Sequence, residues 1–177
     1  ELADRQAVFE SRDHAGRVLA GMLREQWAGN GHGPPNGLVL AIPSGGVPVG
    51  LALAGELGRD LDLVIARKLQ IPGNTEAGFG AMTLDGRVLL NDWLVTSLDL
   101  GREDIAAERE RVAAELARRN EVFRNGAPPP EVAGREVLLT DDGLASGFSM
   151  LAALHAVRAG NPARVEVAVP TAPRDSL

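Results

Sequence analysis

The sequence predicts an α/β fold in which a mainly parallel sheet is flanked by helices, and three observations carry this prediction. Short apolar runs alternate with longer helical patterns along the 177 residues, as expected for an α/β protein. The first two apolar runs enclose a helical pattern, and strand–helix–strand units are almost always parallel and right-handed. Small polar segments follow the apolar runs, where the carboxyl ends of parallel strands bind ligands.

The composition is that of an ordinary globular domain, and we assign residues 1–177 to a single domain. Hydrophobic residues make up 45% of the chain and charged residues 24%, which are usual values. The net charge of −6 argues against a nucleic-acid partner, because phosphate backbones bind basic surfaces. The absence of cysteine excludes disulfides and thiolate chemistry.

The expected location is the cytoplasm, without a membrane partner. No apolar run reaches the roughly 18 residues of a membrane-spanning helix. The charged first residues, Glu1 to Arg5, do not have the pattern of a signal peptide.

The first part of the chain predicts two helices and two strands. In order, these are a helix over 11–27, a loop over 28–37, a strand over 38–42, a helix to about 57, and a strand over 61–66 that ends at the basic pair Arg67 and Lys68. Ser11 or Asp13 could cap the first helix, and Pro48 suits the start of the second.

The middle of the chain predicts a hairpin and a long charged helix. The elements are a turn at 71–74, a small hairpin of 78–83 and 87–90, a short helix over 91–98, and a long helix over 102–123. In the long helix, Ile105, Val112, Leu116 and Phe123 form a narrow apolar stripe, which indicates a packing or dimer face.

The last part contains the segment on which the functional prediction depends. A proline-rich linker over 125–134 precedes a strand over 137–139, a helix over 148–159 and a strand over 165–169. Between the first two lie Asp141 and Asp142, followed by a small-residue loop from Gly143 to Gly147. Loop amides and the helix N-terminus favour an anion, and the carboxylates can hold hydroxyls or a metal. A sugar phosphate satisfies both.

The interpretation of this segment as a sugar-phosphate site has three alternatives. Asp141 and Asp142 could simply cap a helix. A phosphoryl-receiver domain has its acidic pair on the first strand and a later lysine, whereas only 35 residues and no lysine follow Asp142. Phosphatases of the haloacid type need Asp-x-Asp, and these two residues are adjacent. Spacing therefore excludes the last two alternatives.

The segment Asp141-Asp142-Gly143-Leu144-Ala145-Ser146-Gly147 resembles the ribose-phosphate signature of type I phosphoribosyltransferases. In that signature a hydrophobic strand leads into Asp-Asp-Gly, two residues, Thr or Ser, and Gly. The resemblance extends from about Arg12 to Pro173 and implies a Rossmann-like core. It also implies that the two catalytic carboxylates hold the ribose 2- and 3-hydroxyls of phosphoribosyl pyrophosphate, and that the loop, with the Ser146 hydroxyl, binds its 5-phosphate.

The segment Ser44-Gly45-Gly46 after the first strand has two interpretations. It could be a helix cap with a tight turn, or a second anion-binding loop. The resemblance favours a loop that contacts pyrophosphate, although relatives have Arg where Ser44 stands.

The basic pair Arg67 and Lys68 could be an ordinary surface feature. Its predicted position beside the other loops favours contact with phosphate or pyrophosphate instead, and we group both residues with the pyrophosphate loop. The run from Ala66 through Glu76 to Ala81 also resembles one branch of the same family.

The resemblance implies a transferase that uses phosphoribosyl pyrophosphate and Mg²⁺ in nucleotide metabolism. Ribose 5-phosphate passes to an unidentified nitrogenous base and pyrophosphate leaves. The metal is expected to bind through the substrate, with Asp141 and Asp142 nearby, rather than in a site made by the protein alone. The apolar stripe of the long helix also allows a homodimer. The resemblance further implies an acceptor hood formed by chain termini, to which a segment after Leu177 would contribute. The alternative function is a non-catalytic module that senses phosphoribosyl pyrophosphate or a nucleotide.

Overall fold

A computed structural model describes residues 8–28, 37–145 and 147–173, without the side chains at 75 and 76. The helices are α1 (Arg12–Ala28), α2 (Gly46–Leu57), α3 (Asp92–Ser97), α4 (Arg102–Arg124) and α5 (Phe148–Ala159). The strands are β1 (Gly37–Ala41), β2 (Asp60–Leu63), β3 (Ala66–Ile71), β4 (Asn74–Thr83), β5 (Val88–Leu90), β6 (Glu136–Thr140) and β7 (Arg164–Ala168). The predicted α/β class is confirmed. The predicted 28–37 loop, Ser146 and the Glu76 side chain fall almost wholly outside the described residues.

A four-stranded parallel sheet with the order β2-β1-β6-β7 forms the centre of the fold. The two middle strands pair in register, with Val39 opposite Leu138 and Ala41 opposite Thr140. Every residue of β1 is buried, because helices cover both faces of the sheet. This explains why the two strands are continuous apolar runs in the sequence.

Alternate residues of β1 and β6 face opposite helical layers. Val39 and Leu138 pack with Leu53 and Trp27 in the layer formed by α1 and α2. On the other face, a second cluster contains Leu38, Leu40, Val137, Leu139 and residues of α5. The two-residue period of a strand therefore divides one apolar run between two cores.

A second, antiparallel sheet has the order β3-β4-β5. Its inner side chains, including Leu69 and Phe79, form a third cluster with Val112 and Leu116 of α4. Ile105, Val112 and Leu116 of the α4 stripe thus pack within the chain, whereas Phe123 is 39% exposed. The predicted homodimer and the single-domain assignment stay predictions.

The predicted second strand is wrong in one respect that affects the site. The chain pairs with β1 only as far as Leu63 and then enters the antiparallel sheet at Ala66. Arg67 and Lys68 consequently lie inside β3 rather than at the end of a parallel strand. An unbroken apolar run does not reveal such a change of sheet, because strands of both sheets have the same period.

Most helix boundaries follow from local signals. Ser11 caps α1, where its hydroxyl accepts a hydrogen bond of 3.0 Å from the amide of His14. The short helix α3 is capped in the same manner by Asn91, which accepts from the amide of Leu94 at 3.1 Å. In the three described ranges, no helix is both long enough and apolar enough to cross a membrane.

Candidate active site

Two loops leave the parallel sheet side by side because β1 and β6 are neighbours. The amide of Ile42 donates to the carbonyl oxygen of Thr140 at 3.0 Å, which continues the pairing to the ends of the strands. The loop from Pro43 to Gly46 and the loop from Asp141 to Gly147 then begin together. The predicted phosphate loops are therefore adjacent in space.

Gly45 and Gly46 allow the backbone of the first loop to lie against the two carboxylates. A Cβ atom at Gly46 would be 2.8 Å from Asp141 Cα, and one at Gly45 would be 2.5 Å from Asp142 Cγ. Real side chains do not tolerate such contacts, so both positions require glycine. The Pro43–Ser44 peptide bond is cis.

Neither loop owes its shape to a side-chain helix cap. The residue at the N-cap of α2 is Gly45, and no side chain caps that helix. Gly147 takes the same position in α5, with φ of 73° and again no side-chain cap. Ser44, Asp141 and Asp142 therefore provide no side-chain cap, although the segment Ser44-Gly45-Gly46 does contain the N-cap residue of α2, Gly45.

The Asp141 carboxyl group is mostly buried beside a second carboxylate. Its Oδ1 accepts a hydrogen bond of 2.8 Å from the amide of Asp142. Burial, aided by the charge of Asp142, raises the pKa of Asp141 to about 7. Desolvation outweighs the amide hydrogen bond, which acts in the opposite direction. Asp141 can accordingly hold or release a proton near neutral pH.

Asp142 is more exposed and forms an ion pair with Arg12 at the start of α1. Arg12 Nε donates to Asp142 Oδ2 at 2.8 Å, and the two residues are 130 positions apart in the chain. Arg12 was not predicted as a site residue, because nothing in the sequence near it points to the loop.

Thr171 holds the start of the second loop in place. Its carbonyl oxygen accepts a hydrogen bond of 2.9 Å from the amide of Leu144, and its hydroxyl lies 3.4 Å from the carbonyl oxygen of Asp142. A Cβ atom at Gly143 would be 2.6 Å from Thr171 Oγ1. Thr171 follows β7, the neighbour of β6, so the rule of adjacent strand ends could have identified it.

A small cavity of about 110 Å³ lies between the second loop, the start of α5 and β3. It is lined by Lys68, Asp141, Gly143, Leu144, Ala145, Gly147, Ser149 and Met150. Lys68 is the only lysine of the chain. A lysine, loop amides and a helix N-terminus around one small cavity are suited to an anion.

Arg67 faces away from this cavity. Its guanidinium forms an ion pair of 2.8 Å with Glu115 of α4. Adjacent strand residues point to opposite faces, so the basic pair is divided between α4 and the cavity. The structure brings Lys68 to the loop after β6, whereas Lys68 was predicted to act with the pyrophosphate loop.

Across the described side chains, no group of three or more acidic, histidine or cysteine residues could hold a metal ion. Asp141 and Asp142 supply two adjacent carboxylates. This donor set fits Mg²⁺ only where substrate oxygens complete the coordination, which is a common arrangement for Mg²⁺ in phosphate sites.

Comparisons with known proteins show the family of this chain. The phosphoribosyl transferase domain family model matches residues 13–177. A protein of Mycobacterium tuberculosis named "Putative phosphoribosyl transferase Rv0571c" is 40% identical over 170 residues, which are 95% of this chain. The chain spans only 37% of the length of that relative.

Solved structures show the same relationship. The crystal structure of TT1426 from Thermus thermophilus has a TM-score of 0.72 at 38% identity, covering 95% of this chain and 77% of that one. A hypoxanthine phosphoribosyltransferase from Staphylococcus aureus has a TM-score of 0.54 at 10% identity, covering 93% and 66%, and it shows a shared fold alone. The chain therefore belongs to the phosphoribosyl transferase domain family.

Proposed function

We propose that this protein transfers ribose 5-phosphate from phosphoribosyl pyrophosphate to a nitrogen atom of a small-molecule base and releases pyrophosphate. One observation carries the proposal: the loop of residues 43–46 lies directly against Asp141 and Asp142. In the proposed substrate, the pyrophosphate on C1 adjoins the 2- and 3-hydroxyls in the same way. A pyrophosphate loop beside two hydroxyl-binding carboxylates matches that half of the molecule.

The other half of the substrate suits the cavity at the start of α5. In this proposal the 5-phosphate accepts hydrogen bonds from loop amides between Gly143 and Gly147 and pairs with Lys68. Lys68 lines that cavity together with Asp141. Asp141 would thus lie between the 5-phosphate and the ribose ring.

The reaction requires breaking the C1–O bond to pyrophosphate and forming a C1–N bond to the base. The electron pair of the breaking bond leaves with pyrophosphate, and positive charge develops on the ribose. Asp141 and Asp142 would stabilise that charge, because preorganised opposite charge near the reacting centre lowers the barrier. The loop amides would orient both phosphate groups so that the base meets C1 in line. The proton of the acceptor nitrogen passes to solvent water with or after bond formation.

Mg²⁺, when bound with the substrate, would neutralise pyrophosphate charge and so make it a better leaving group. The residues of this chain that would take part in holding it are Asp141 and Asp142. The base itself is not assigned.

A second candidate function is binding of phosphoribosyl pyrophosphate or a nucleotide without catalysis. The observation that favours it is the composition of the 43–46 loop, which is Pro-Ser-Gly-Gly and has no charged residue. A leaving group with several negative charges would gain little from such a loop alone.

Calorimetry and a turnover assay together distinguish the two candidates. Wild-type protein is titrated with phosphoribosyl pyrophosphate and Mg²⁺, and pyrophosphate release is followed across a panel of nitrogenous bases. Binding with turnover supports the transferase, and binding without turnover for any base supports the sensor. Asp142→Asn should weaken binding, whereas Asp99→Asn, on an exposed turn where Asp99 already has positive φ, should not. Absence of binding by the wild type would contradict both candidates.

Lys68 offers a direct test of the 5-phosphate position, because a lysine-selective reagent has only one ε-amine to modify. Acetylation of Lys68, followed by peptide mass spectrometry, should slow markedly in the presence of ribose 5-phosphate. Chloride at equal ionic strength is the control and should give no protection. An unchanged rate of modification under saturating ribose 5-phosphate would contradict the assignment of Lys68.

A further inference from the structure

The loop of residues 43–46 needs positive charge from elsewhere in the chain if pyrophosphate binds to it. Its backbone adjoins Asp141 and Asp142, so an incoming pyrophosphate would meet two acidic groups. Any role in binding this leaving group rests on the proposed function.

The positively charged side chain of Arg119, in α4, contacts this loop. Its Nη1 donates to the carbonyl oxygen of Pro43 at 3.4 Å. The guanidinium is held on two further sides, by Glu115 Oε1 at 3.3 Å from Nε and by the ring of Phe123, 5.8 Å from its centroid. Only 18% of the side chain is exposed. These contacts give the charge of Arg119 a defined position behind the loop.

Arg119 also belongs to a cluster with an excess of positive charge. Glu115 is shared with Arg67 at 2.8 Å and with Arg111 at 3.6 Å. Arg111 in turn pairs with Glu108 at 2.7 Å. The cluster therefore contains three guanidinium groups and two carboxylates. Its net charge stays positive beside the loop of residues 43–46.

The position of the cluster separates it from the 5-phosphate cavity. Arg67 and Lys68 lie on opposite faces of β3, with Arg67 toward Glu115 and Lys68 toward Gly143 and Gly147. A different basic group therefore lies near each of the two proposed phosphate loops.

We propose that Arg119 is a positioning residue for the leaving pyrophosphate. It anchors the 43–46 loop through the Pro43 carbonyl group and supplies, from α4, the positive charge that the loop itself lacks. Arg67 and Arg111 keep Glu115 from neutralising that charge. A residue of the long helix thereby completes the pyrophosphate half of the site.

The test compares two ligands on matched variants. Calorimetry measures the Kd of pyrophosphate with Mg²⁺ and, separately, the Kd of ribose 5-phosphate. We expect Arg119→Met to raise the Kd of pyrophosphate about tenfold, the effect expected for losing a charge-assisted contact, and to change that of ribose 5-phosphate less than about twofold. Arg118→Met is the control, because Arg118 is the exposed neighbour on the same helix, and both Kd values should stay unchanged.

Two further variants distinguish the charge from mere support of the loop. Arg119→Lys retains the charge and should recover most of the pyrophosphate affinity. Arg119→Gln retains a donor for Pro43 without the charge and should not, so it also replaces the Met variant if that protein fails to fold. The difference between wild type and Arg119→Gln should shrink as salt is added, because salt screens charge.

The outcomes separate this inference from the proposed function. If wild-type protein binds both ligands and the charge-removing variants retain pyrophosphate affinity, the role of Arg119 is wrong and the transferase proposal stands. If Arg119→Met loses affinity for pyrophosphate and for ribose 5-phosphate equally, the substitution has damaged the protein as a whole. The proposed role of Arg119 would then also be wrong. A wild-type protein that binds neither ligand would overturn both.

Discussion

Asp141 is both a predicted site residue and a mostly buried acid. Burial raises its pKa from 3.8 to about 7, which means that the folded protein holds a proton there that the unfolded chain releases at lower pH. The stabilising contribution of that proton is complete below about pH 4 and is lost as the pH rises through about 7. At higher pH the folded state contains a second carboxylate charge beside Asp142.

Asp141→Asn should therefore stabilise the protein in a pH-dependent manner. The Asn side chain retains the oxygen that accepts from the Asp142 amide but has no charge. We expect the variant to have a Tm at least about 2 °C above wild type at pH 8, roughly the effect of 1 kcal/mol in a chain of this size. The difference should shrink as the pH falls from 8 to 5 and should vanish only below about pH 4, where Asp141 is protonated in both the folded and the unfolded chain.

Thermal unfolding between pH 5 and pH 8 measures this effect. Asp99→Asn serves as the control, since Asp99 is exposed, and its difference from wild type should be the same at every pH. A Tm difference for Asp141→Asn that does not vary with pH would contradict the raised pKa.

Gly45→Ala tests the close approach of the two loops. The added methyl group would meet the Asp142 carboxylate, which Arg12 holds in place. We expect a loss of about 1–3 kcal/mol in the free energy of unfolding, as in other overpacked sites, together with loss of pyrophosphate binding. Urea denaturation and calorimetry measure the two effects.

Gly55→Ala is the matched control for this substitution. Gly55 lies in α2, and a Cβ atom there would have no neighbour within 4 Å. Alanine is the better helix former, so this variant should gain about 0.5–1 kcal/mol and retain ligand binding. Equal behaviour of the two alanine variants would show that the loops are not in contact.

The helix α4 joins the antiparallel sheet to the site. Its buried residues Val112 and Leu116 pack on the cluster that contains Leu69 and Phe79, while its outer face contains the arginines and glutamates. This arrangement fixes the position of Arg119 relative to Pro43. One face of α4 therefore packs in the core, and in our proposal Arg119 of the same helix positions the leaving pyrophosphate.

Leu116→Ala should destabilise the protein strongly, because the side chain is 1% exposed. Removing a buried leucine usually costs about 2–5 kcal/mol in the free energy of unfolding. Val122→Ala on the same helix is the control, and its side chain is 66% exposed, so we expect a change within about 0.5 kcal/mol. Urea denaturation measures both. A small effect at Leu116 would mean that the stripe packs against something other than this chain.

Ligand binding should stabilise the protein as a whole, because the two proposed phosphate loops are assembled only in the folded state. At 100 times its Kd, phosphoribosyl pyrophosphate with Mg²⁺ should add about 2.7 kcal/mol, which raises Tm by about 5–10 °C in a chain of this size. The same addition to Asp142→Asn should have a much smaller effect. A Tm shift of equal size in both proteins would place the binding site elsewhere.

Local patterns were sufficient to predict the helices, most of the strands and the spacing of the main loop, but not the separate strand β3. The runs that became β1 and β6 are apolar because both faces of the strands are buried, and that property is visible in the residues themselves. The Asp141–Gly147 segment was predicted for the same reason, since a strand, its following loop and the next helix are contiguous in the chain. The apolar stripe of α4 likewise depends only on helical periodicity.

Contacts between distant segments required the tertiary structure. No local pattern shows that the chain changes sheets between Leu63 and Ala66, which sends Arg67 to α4 and Lys68 to the cavity. The contacts of Arg12 with Asp142 and of Arg119 with Pro43 join residues 130 and 76 positions apart.

The sequence by itself determined the fold class and singled out residues 141–147 as the proposed phosphate loop, because periodicity and motif spacing are short-range properties of the chain. Only the tertiary structure decided which charges surround that loop and how strongly Asp141 holds its proton. Electrostatic interaction and desolvation depend on distance and burial in space, and packing of the two sheets and α4 sets both.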